Sequence, residues 1–448
     1  MSSSILVIGG GIAGIEAALN LSDYGFQVYL VEDAPSIGGL MARLNKTFPT
    51  NDCSICIEAP KMYEVQKRPN IKLLTYCEVR RVDGVGGNFK VRLLKKPRYV
   101  DEDKCKGCGK CTEECPVSVL DDVDGKVGGF RKLIYIPFPQ AVPNCHVLDP
   151  DCRHGKMRDE GACIGDCIVD CIQCRVCPIA KCVKACKDEG ADAIKLWQRP
   201  TFIDLEVASI IVATGLEAFE PPVGMYGYGV HKNVVTNLQF ERLTNACGPT
   251  LGQIVRPSDG AHLKKIAWVQ CVGREKKVGI PYCSKVCCMA ATKQAIITRE
   301  HDKTIDTHIL YTDLKTYGKG FFEFYGRAKG LGVKYVKGKP SEVFEDPKTK
   351  SLAVKYEDLD KGEVEVLKVD LLVLSTALIP NSRSKRLSKV LGVERDEYGF
   401  FKERDPLNAP LETNVEGIYV CGGATGPVDI SESVVQAAAA SLKAALPR

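Results

Sequence analysis

The sequence predicts an α/β chain with two dinucleotide-binding-type domains, the first interrupted by a small α+β insert. Three observations predict it. A strand, glycine loop and helix open the chain; two distant strand–glycine segments can complete the same domain; and a dense run of cysteines lies between them. At 448 residues and 45% hydrophobic content, the chain is long enough for two or three cores.

The opening stretch SILVIGGGIAGIEAALNLSDYGFQVYLVE reads as an apolar strand, then Gly9-x-Gly11-x-x-Gly14, an Ala-rich helix, a turn at Gly25 and a second strand ending at Glu32. Gly9 permits the tight turn, Gly11 lets backbone approach a pyrophosphate, and Gly14 lets the helix pack on the strand. The helix N-terminus faces the phosphates, and Glu32 can accept a ribose hydroxyl. Two distant pieces match this unit: SIIVATG, a buried strand ending at Ala213-Thr214-Gly215, and the tail, where a strand from Ile418 to Val420 meets Gly422 and Gly423 before an Ala-rich helix. Together they resemble the two-dinucleotide-domain, thioredoxin-reductase-like flavoprotein reductases, whose FAD domain is closed by two such segments. The resemblance implies FAD, with Gly9, Gly11, Gly14, Glu32, Gly39, Ala213, Thr214, Gly215, Gly422 and Gly423 as candidate contacts.

Between these pieces stands CKGCGKCTEECPV, that is Cys105-x2-Cys108-x2-Cys111-x3-Cys115-Pro. This is the bacterial ferredoxin run, in which three thiolates hold one 4Fe–4S cluster and the fourth holds its neighbour. Zinc knuckles are the alternative, but they pair two C-x2-C units rather than running four cysteines together. The partner run is irregular: Cys145, Cys152, Cys163, Cys167, Cys171, Cys174, Cys177, Cys182 and Cys186. Cys182-x3-Cys186 most resembles the end of a ferredoxin run, although Lys187 replaces the usual proline. Cys174 or Cys177 is expected to join them with an upstream ligand such as Cys152. Cys163, Cys167 and Cys171 are then available for an extra cluster, or are unligated thiols.

After SIIVATG, a flavoprotein reductase of this type enters a second dinucleotide domain through another strand, glycine loop and helix. Here KKIAWVQ supplies the strand and AATKQAIITRE the helix, but no GxGxxG stands between them. Cys271, Cys283, Cys287 and Cys288 occupy the interval. The expectation is that four thiolates replace the pyrophosphate loop and hold an iron–sulfur cluster near the flavin, with a redox dithiol as the alternative. Adjacent cysteines cannot both face one metal from a regular helix, so Cys287 and Cys288 imply an irregular turn. Cys53 and Cys56 form a C-x2-C near the expected flavin, read as a packing or flavin-contacting pair in preference to a redox dithiol. Cys77, Cys247 and Cys421 are read as core thiols.

Composition excludes other classes. The 61 basic and 56 acidic residues are well mixed, and the net charge of +5 carries no basic tract for nucleic acid. The N-terminus shows no basic and apolar leader, and no apolar run approaches the roughly 20 residues of a membrane helix. The expected location is the cytoplasm, without direct membrane insertion, where 22 cysteines argue for cluster ligation over disulfides. No hydrolytic or paired acid/base constellation is visible, and the six histidines are scattered.

The stretches GGGIAGIEAAL, FPTNDCSICIEAPKM, CKGCGKCTEECPV, IYIPFPQAVP, QCVG with YCSKVCCMAATKQA, and GPVDISESVVQA together resemble the HdrA-like family, the FAD- and iron–sulfur-containing A subunits of the heterodisulfide reductases and their bacterial relatives. The resemblance spans nearly the whole chain. It implies a non-standard 4Fe–4S cluster on Cys271, Cys283, Cys287 and Cys288 beside FAD, and places Lys293 near the flavin, where it influences the reduced states; without it, Lys293 would read as a solvated helix lysine. It also implies an oxidoreductase that relays electrons, with bifurcation as one form of that role, through FAD and three 4Fe–4S clusters, or four if the extra one forms. Implied partners are the other subunits of such a complex, ferredoxin, and hydrogenase or dehydrogenase modules, with a homodimer inside the assembly. Larger members carry an N-terminal extension and a C-terminal ferredoxin domain, so electrons are expected to leave this chain by another route. A self-sufficient NAD(P)H-dependent reductase is the alternative. The expected domains are residues 1–97, 201–261 and 370–448 for FAD, 98–200 for the ferredoxin-like insert, and 262–369 for the second domain.

Overall fold

The computed structural model describes residues 4–149, 181–278 and 280–446. Strands Ser4–Ile8, Ser209–Val212 and Leu371–Thr376 are buried at every position. Such unbroken apolar runs suit parallel sheets covered on both faces. The first sheet runs in the order Ile418–Val420, Ser209–Val212, Ser4–Ile8, Gln27–Glu32, Ile71–Thr75, all parallel. Helix Ile12–Asp23 packs against helix Ile430–Ala445 through small residues, among them Ala17, Ala18, Ala437 and Ala440. Ser441 Oγ donates to Ala17 O at 3.3 Å, so the last helix is tied to the first.

An antiparallel sheet of Cys77–Val85, Asn88–Lys95 and Thr201–Val207 resumes the first domain after the insert. The insert leaves and returns side by side: Val100 bridges Ile194, Asp101 N–H donates to Ala193 O at 2.8 Å, and Lys195 N–H donates to Tyr99 O at 2.9 Å. A neck of this kind lets a sequence be inserted without disturbing its host. Inside it, Ser118–Leu120 pairs with Phe130–Lys132 and Ile134–Tyr135 with Val147–Leu148, beside helices Lys110–Glu113 and Lys181–Asp188. Cys152, Cys163, Cys167, Cys171, Cys174 and Cys177 lie outside the described residues.

The second parallel sheet runs Val234–Thr236, Leu371–Thr376, Lys265–Val272, Asp306–Tyr311, Lys334–Lys337, flanked by the antiparallel strands Pro340–Glu345, Leu352–Asp358 and Glu363–Val369. The expected boundaries at 261 and 369 therefore fall inside this domain. Val234–Thr236 pairs with Leu371–Thr376, and both belong to the second sheet rather than to FAD segments. A short apolar strand carries no local sign of which sheet it joins. The crossing between domains is instead the antiparallel pair Leu216–Ala218 with Leu378–Pro380.

A buried acid in the first domain makes stability depend on pH. Helix Ser54–Lys67 buries Ser54, Glu58, Met62 and Val65 along one stripe. Neither Glu58 carboxyl oxygen has a partner, and burial pushes the group well above its ordinary 4.5. The folded chain thus keeps a proton that the unfolded chain releases near 4.5, so stability falls as pH rises from that value through the folded pKa. Glu58→Gln is expected to flatten the pH dependence of the thermal midpoint between about pH 5 and 8 and to raise the midpoint at the alkaline end. Matching slopes in wild type and variant would show that this carboxyl titrates normally.

Candidate functional site

The glycine loop follows from steric necessity. Gly9 has φ +110°, and a Cβ there would stand 2.3 Å from Ala213 O. A Cβ on Gly14 would stand 1.8 Å from Gly9 O, so only glycine lets the helix seat on the loop. Gly11 faces Gly39 closely enough that a Cβ on Gly39 would stand 2.9 Å from Gly11 Cα. Glu32 ends its strand with both carboxylate oxygens engaged, accepting from Gly10 N–H at 2.6 Å and Ala34 N–H at 2.7 Å. Burial raises its pKa against those two hydrogen bonds, which lower it. The acid expected to meet a ribose thus also stitches the loop to its strand.

Ala213 continues the strand, its N–H donating to Ile8 O at 2.8 Å. Thr214 O accepts from Asn381 Nδ2 at 3.2 Å, while the Thr214 hydroxyl is buried without a partner. Gly215, at φ +66°, turns the chain into the interdomain pair. A pocket opens here, lined in part by Gly9, Glu32, Thr214, Asn381 and Arg383. An orphan hydroxyl, a carboxylate and a glycine cradle suit the ribose and diphosphate of FAD. At the far end, Gly422 N–H donates to Gln436 Oε1 at 2.7 Å, and a Cβ on Gly423 would stand 2.8 Å from Leu216 Cγ. The closing helix Ile430–Ala445 starts in a capping box: Glu432 N–H donates to Asp429 Oδ1 at 2.8 Å and Asp429 N–H to Glu432 Oε2 at 3.0 Å.

The four-cysteine segment lies against this end. Strand Lys265–Val272 shifts register after Val269, and Cys271 adopts φ +61°, a conformation a β-carbon disfavours. Tyr282 OH donates to Leu378 O at 3.0 Å, and Leu378 N–H donates to Ser284 Oγ at 2.8 Å, which pins the loop around Cys283 to the interdomain strand. Lys285, at φ +62°, reaches Glu432 Oε1 at 2.7 Å and so ties the loop to the closing helix. Cys287 then opens helix Cys287–His301.

The structure brings these four cysteines together. The thiols of Cys288, Cys271 and Cys283 all raise the pKa of Cys287, the hydrogen bond it donates to Cys288 being the largest influence, while that same bond lowers Cys288 to about 7. Burial raises Cys271. Among the described residues, no three His, Cys, Asp or Glu side chains close on a single metal ion. The irregular turn expected at the cysteine pair is not found there. Cys287 and Cys288 sit in the first turn of a regular helix, and the irregularity is in the loop before it, at Lys285.

Lys293 is not a solvated helix lysine. It is buried, with Nζ 2.8 Å from Glu241 Oε1 and donating to Lys46 O at 2.6 Å. Glu241 also accepts from Gln294 Nε2 at 2.6 Å and, through Oε2, from Asn45 N–H at 3.0 Å. The pair joins the second domain to the segment after Gly39. Lys293→Met would strand a buried carboxylate, at a cost of about 3–5 kcal/mol. A clear drop in thermal midpoint is expected, largely recovered by adding Glu241→Gln; an unchanged midpoint would mean that the two charges do not depend on each other.

In the insert, burial pushes Cys111 to about 12, helped by the thiols of Cys105, Cys182, Cys186 and Cys108. Cys115 is buried and turns toward Val117 O at 3.6 Å. Cys111, Cys115, Cys182 and Cys186 thus share one buried core, with Cys105 packed against it. Cys145, counted in the run but not chosen as a ligand, hydrogen-bonds Cys105 and holds it down to about 3. Cys77 and Cys421 are buried as expected, but Cys247 is exposed. It sits in a turn, its N–H donating to Asn245 Oδ1 at 2.8 Å and its O accepting from Arg242 at 3.0 Å, which a lone cysteine in a sequence cannot reveal. Lys285 could have been noticed inside the cysteine motif; Glu241 carried no local signal.

Residues 4–53 match the family described as FAD dependent oxidoreductase, and residues 98–121 match the 4Fe-4S binding domain. The chain is 46% identical over its whole length to the iron-sulfur A subunit of CoB–CoM heterodisulfide reductase from Methanocaldococcus jannaschii, and 47% identical over 98% of its length to one of two corresponding A subunits from Methanopyrus kandleri. Along its whole length it is similar to proteins named as A subunits of heterodisulfide reductases. The chain spans 64% and 63% of those two relatives. The fold of the chain is thioredoxin-reductase-like: thioredoxin reductase of T. acidophilum aligns over 99% of this chain and 98% of its own at TM-score 0.50 and 15% identity, and that of Lactococcus lactis over 98% and 97% at 0.51 and 14%. The chain thus carries a segment of the FAD dependent oxidoreductase family and a 4Fe-4S binding domain. No helix among the described residues is long and apolar enough to cross a membrane.

Proposed function

We propose that this chain is the FAD- and iron–sulfur-containing electron-transfer component of a heterodisulfide-reductase-like complex, relaying electrons between partner subunits in the cytoplasm. The observation that carries the reading is the gathering of Cys271, Cys283, Cys287 and Cys288 at the start of the helix where a pyridine-nucleotide loop would stand, tied by Lys285 to Glu432 of the FAD-closing helix. A site without a phosphate cradle gives NAD(P)H no seat, so electrons reach the flavin through clusters. FAD supplies the exchange between two-electron and one-electron chemistry. The chain's own residues place it: the glycine loop and Glu32 hold the adenosine end, Thr214 and Gly422 line the middle, and the Lys293 ammonium is held at the junction with the second domain. Cys105, Cys108, Cys111 and Cys186 are assigned to one cluster of the insert, and Cys115 with Cys182 to its neighbour, completed by Cys174 or Cys177 and Cys152; Cys163, Cys167 and Cys171 remain for an extra one. That makes three clusters, or four. A relative from Methanothermobacter thermautotrophicus, 44% identical over 99% of this chain, is named as the A subunit of an H(2):CoB-CoM heterodisulfide,ferredoxin reductase. By that likeness the partners are heterodisulfide reductase subunits, ferredoxin and a hydrogenase or dehydrogenase module, around a homodimer.

The test is iron, sulfide and FAD per chain on anaerobically purified protein, followed by titration of the flavin absorbance with NADH. About one FAD with twelve or more irons and no bleaching is expected. Eight or fewer irons with rapid bleaching would instead indicate an NAD(P)H-dependent reductase with a dithiol at the four-cysteine segment.

A further inference from the structure

The C-x2-C of the first domain is neither packed inside nor placed against the pocket. Among the described residues, fourteen cysteines are free and the pair Cys53–Cys56 is the one disulfide, with Cα atoms 5.2 Å apart. The crowded thiols of the two cluster regions are not bonded to each other, so crowding alone does not account for the bond. Cys53 is the N-cap of the fourteen-residue helix Ser54–Lys67, and its Sγ accepts from Cys56 N–H at 3.3 Å. A sulfur that accepts a first-turn N–H at the positive end of a helix is stabilised as thiolate, which favours both attack and departure in thiol exchange. Cys56 is exposed, Cys53 half-buried, and Ile57, Pro60 and Tyr63 stand exposed on the same helix.

The pair also connects inward. Cys53 bridges Lys46 in antiparallel pairing, Ser54 N–H donates to Asn45 O at 3.1 Å, and Ser54 Oγ donates to Met41 O at 2.8 Å. Lys46 O is the acceptor of the Lys293 ammonium, and Asn45 N–H binds Glu241. The segment between Gly39 and the pair therefore links the disulfide to the buried Lys293–Glu241 junction.

We propose that Cys53 and Cys56 form a reversible dithiol/disulfide centre that exchanges two electrons with thiols or disulfides arriving from solvent. In the reducing direction, the Cys56 thiolate attacks one sulfur of R–S–S–R′, forming a Cys56–S–S–R mixed disulfide and releasing R′–S⁻. The Cys53 thiolate then attacks Cys56 Sγ, forming the Cys53–Cys56 bond and releasing R–S⁻. The two protons lost by the pair pass through solvent to the two leaving thiolates, and the substrate disulfide is reduced by the two electrons that the dithiol gives up. The opposite direction uses a solvent dithiol as reductant. The centre depends on the helix start and its sulfurs, not on the cluster or flavin assignment.

The experiment is anaerobic thiol trapping on the full chain. After reduction with dithiothreitol and desalting, wild type and the variants Cys53→Ser and Cys56→Ser are mixed with oxidised glutathione and mapped by mass spectrometry. Wild type is expected to re-form the Cys53–Cys56 bond with no lasting adduct, and Cys53→Ser to hold one glutathione on Cys56. Cys56→Ser should react at Cys53 at least about tenfold more slowly, because the remaining sulfur is half-buried. Iron and FAD contents equal to wild type show that both variants are folded. A wild-type bond that dithiothreitol does not open, or a Cys53→Ser chain that takes no glutathione at Cys56, overturns the proposal. Oxidised glutathione probes small disulfides. Repeating the trapping with a disulfide-bearing protein in its place distinguishes a small-molecule source from a protein source.

Discussion

Cys287→Ala is expected to remove about four iron atoms and the matching sulfide from each chain while FAD stays at the wild-type level. The separation follows from which segments build each site. The glycine loop, Glu32 and Thr214 come from the first sheet, whereas Cys287 belongs to the start of a helix on the second. Cys287 also feels the other three thiols, so losing it leaves the remaining set incomplete. Iron and sulfide analysis with flavin extraction measures both numbers in one sample. If iron were unchanged, the four cysteines would hold no cluster; if FAD left and iron stayed, the two sites would be assigned the wrong way round.

Gly14→Val is the reciprocal experiment. A β-carbon at this position would stand 1.8 Å from Gly9 O, which is backbone and cannot swing away, so helix Ile12–Asp23 has to lift from the loop. FAD affinity should fall by about a hundredfold or more, corresponding to roughly 3 kcal/mol. The insert keeps its iron because its cysteines pack into a separate core with Val119 and Ile134. Thr214→Val supplies a milder companion, removing only the buried hydroxyl without a protein partner. It should weaken FAD binding by about tenfold, the worth of one hydrogen bond. Equal FAD contents in wild type, Gly14→Val and Thr214→Val would remove the nucleotide from this loop.

The glycine loop and the ferredoxin run were legible because their chemistry is local. Gly9, Gly11 and Gly14 answer to one turn and one helix, and Cys105, Cys108 and Cys111 to one loop. The substitution of cysteines for the second glycine loop was legible for a related reason: the flanking strand and helix kept their pattern, so the gap had a known place. Other features depended on partners far away in sequence. Lys293 reads as an ordinary helix lysine until Glu241 and Lys46 meet it. Val234–Thr236 reads as part of the FAD segment until Leu371–Thr376 pairs with it. Cys53 and Cys56 read as a packing or flavin-contacting pair until a helix begins between them and turns one of them outward.

The sequence by itself determined the fold class, the nucleotide loop, the cysteine sets and the family resemblance, since each is written in short-range spacing that steric and ligand chemistry constrain. Only the tertiary structure decided where the chain crosses between its two sheets, that a buried ion pair joins them, and that Lys285 fastens the four-cysteine loop to the helix closing the first domain. Those outcomes are set by contacts between segments far apart in the chain, where the free energy of burial depends on the partner and no single segment encodes it.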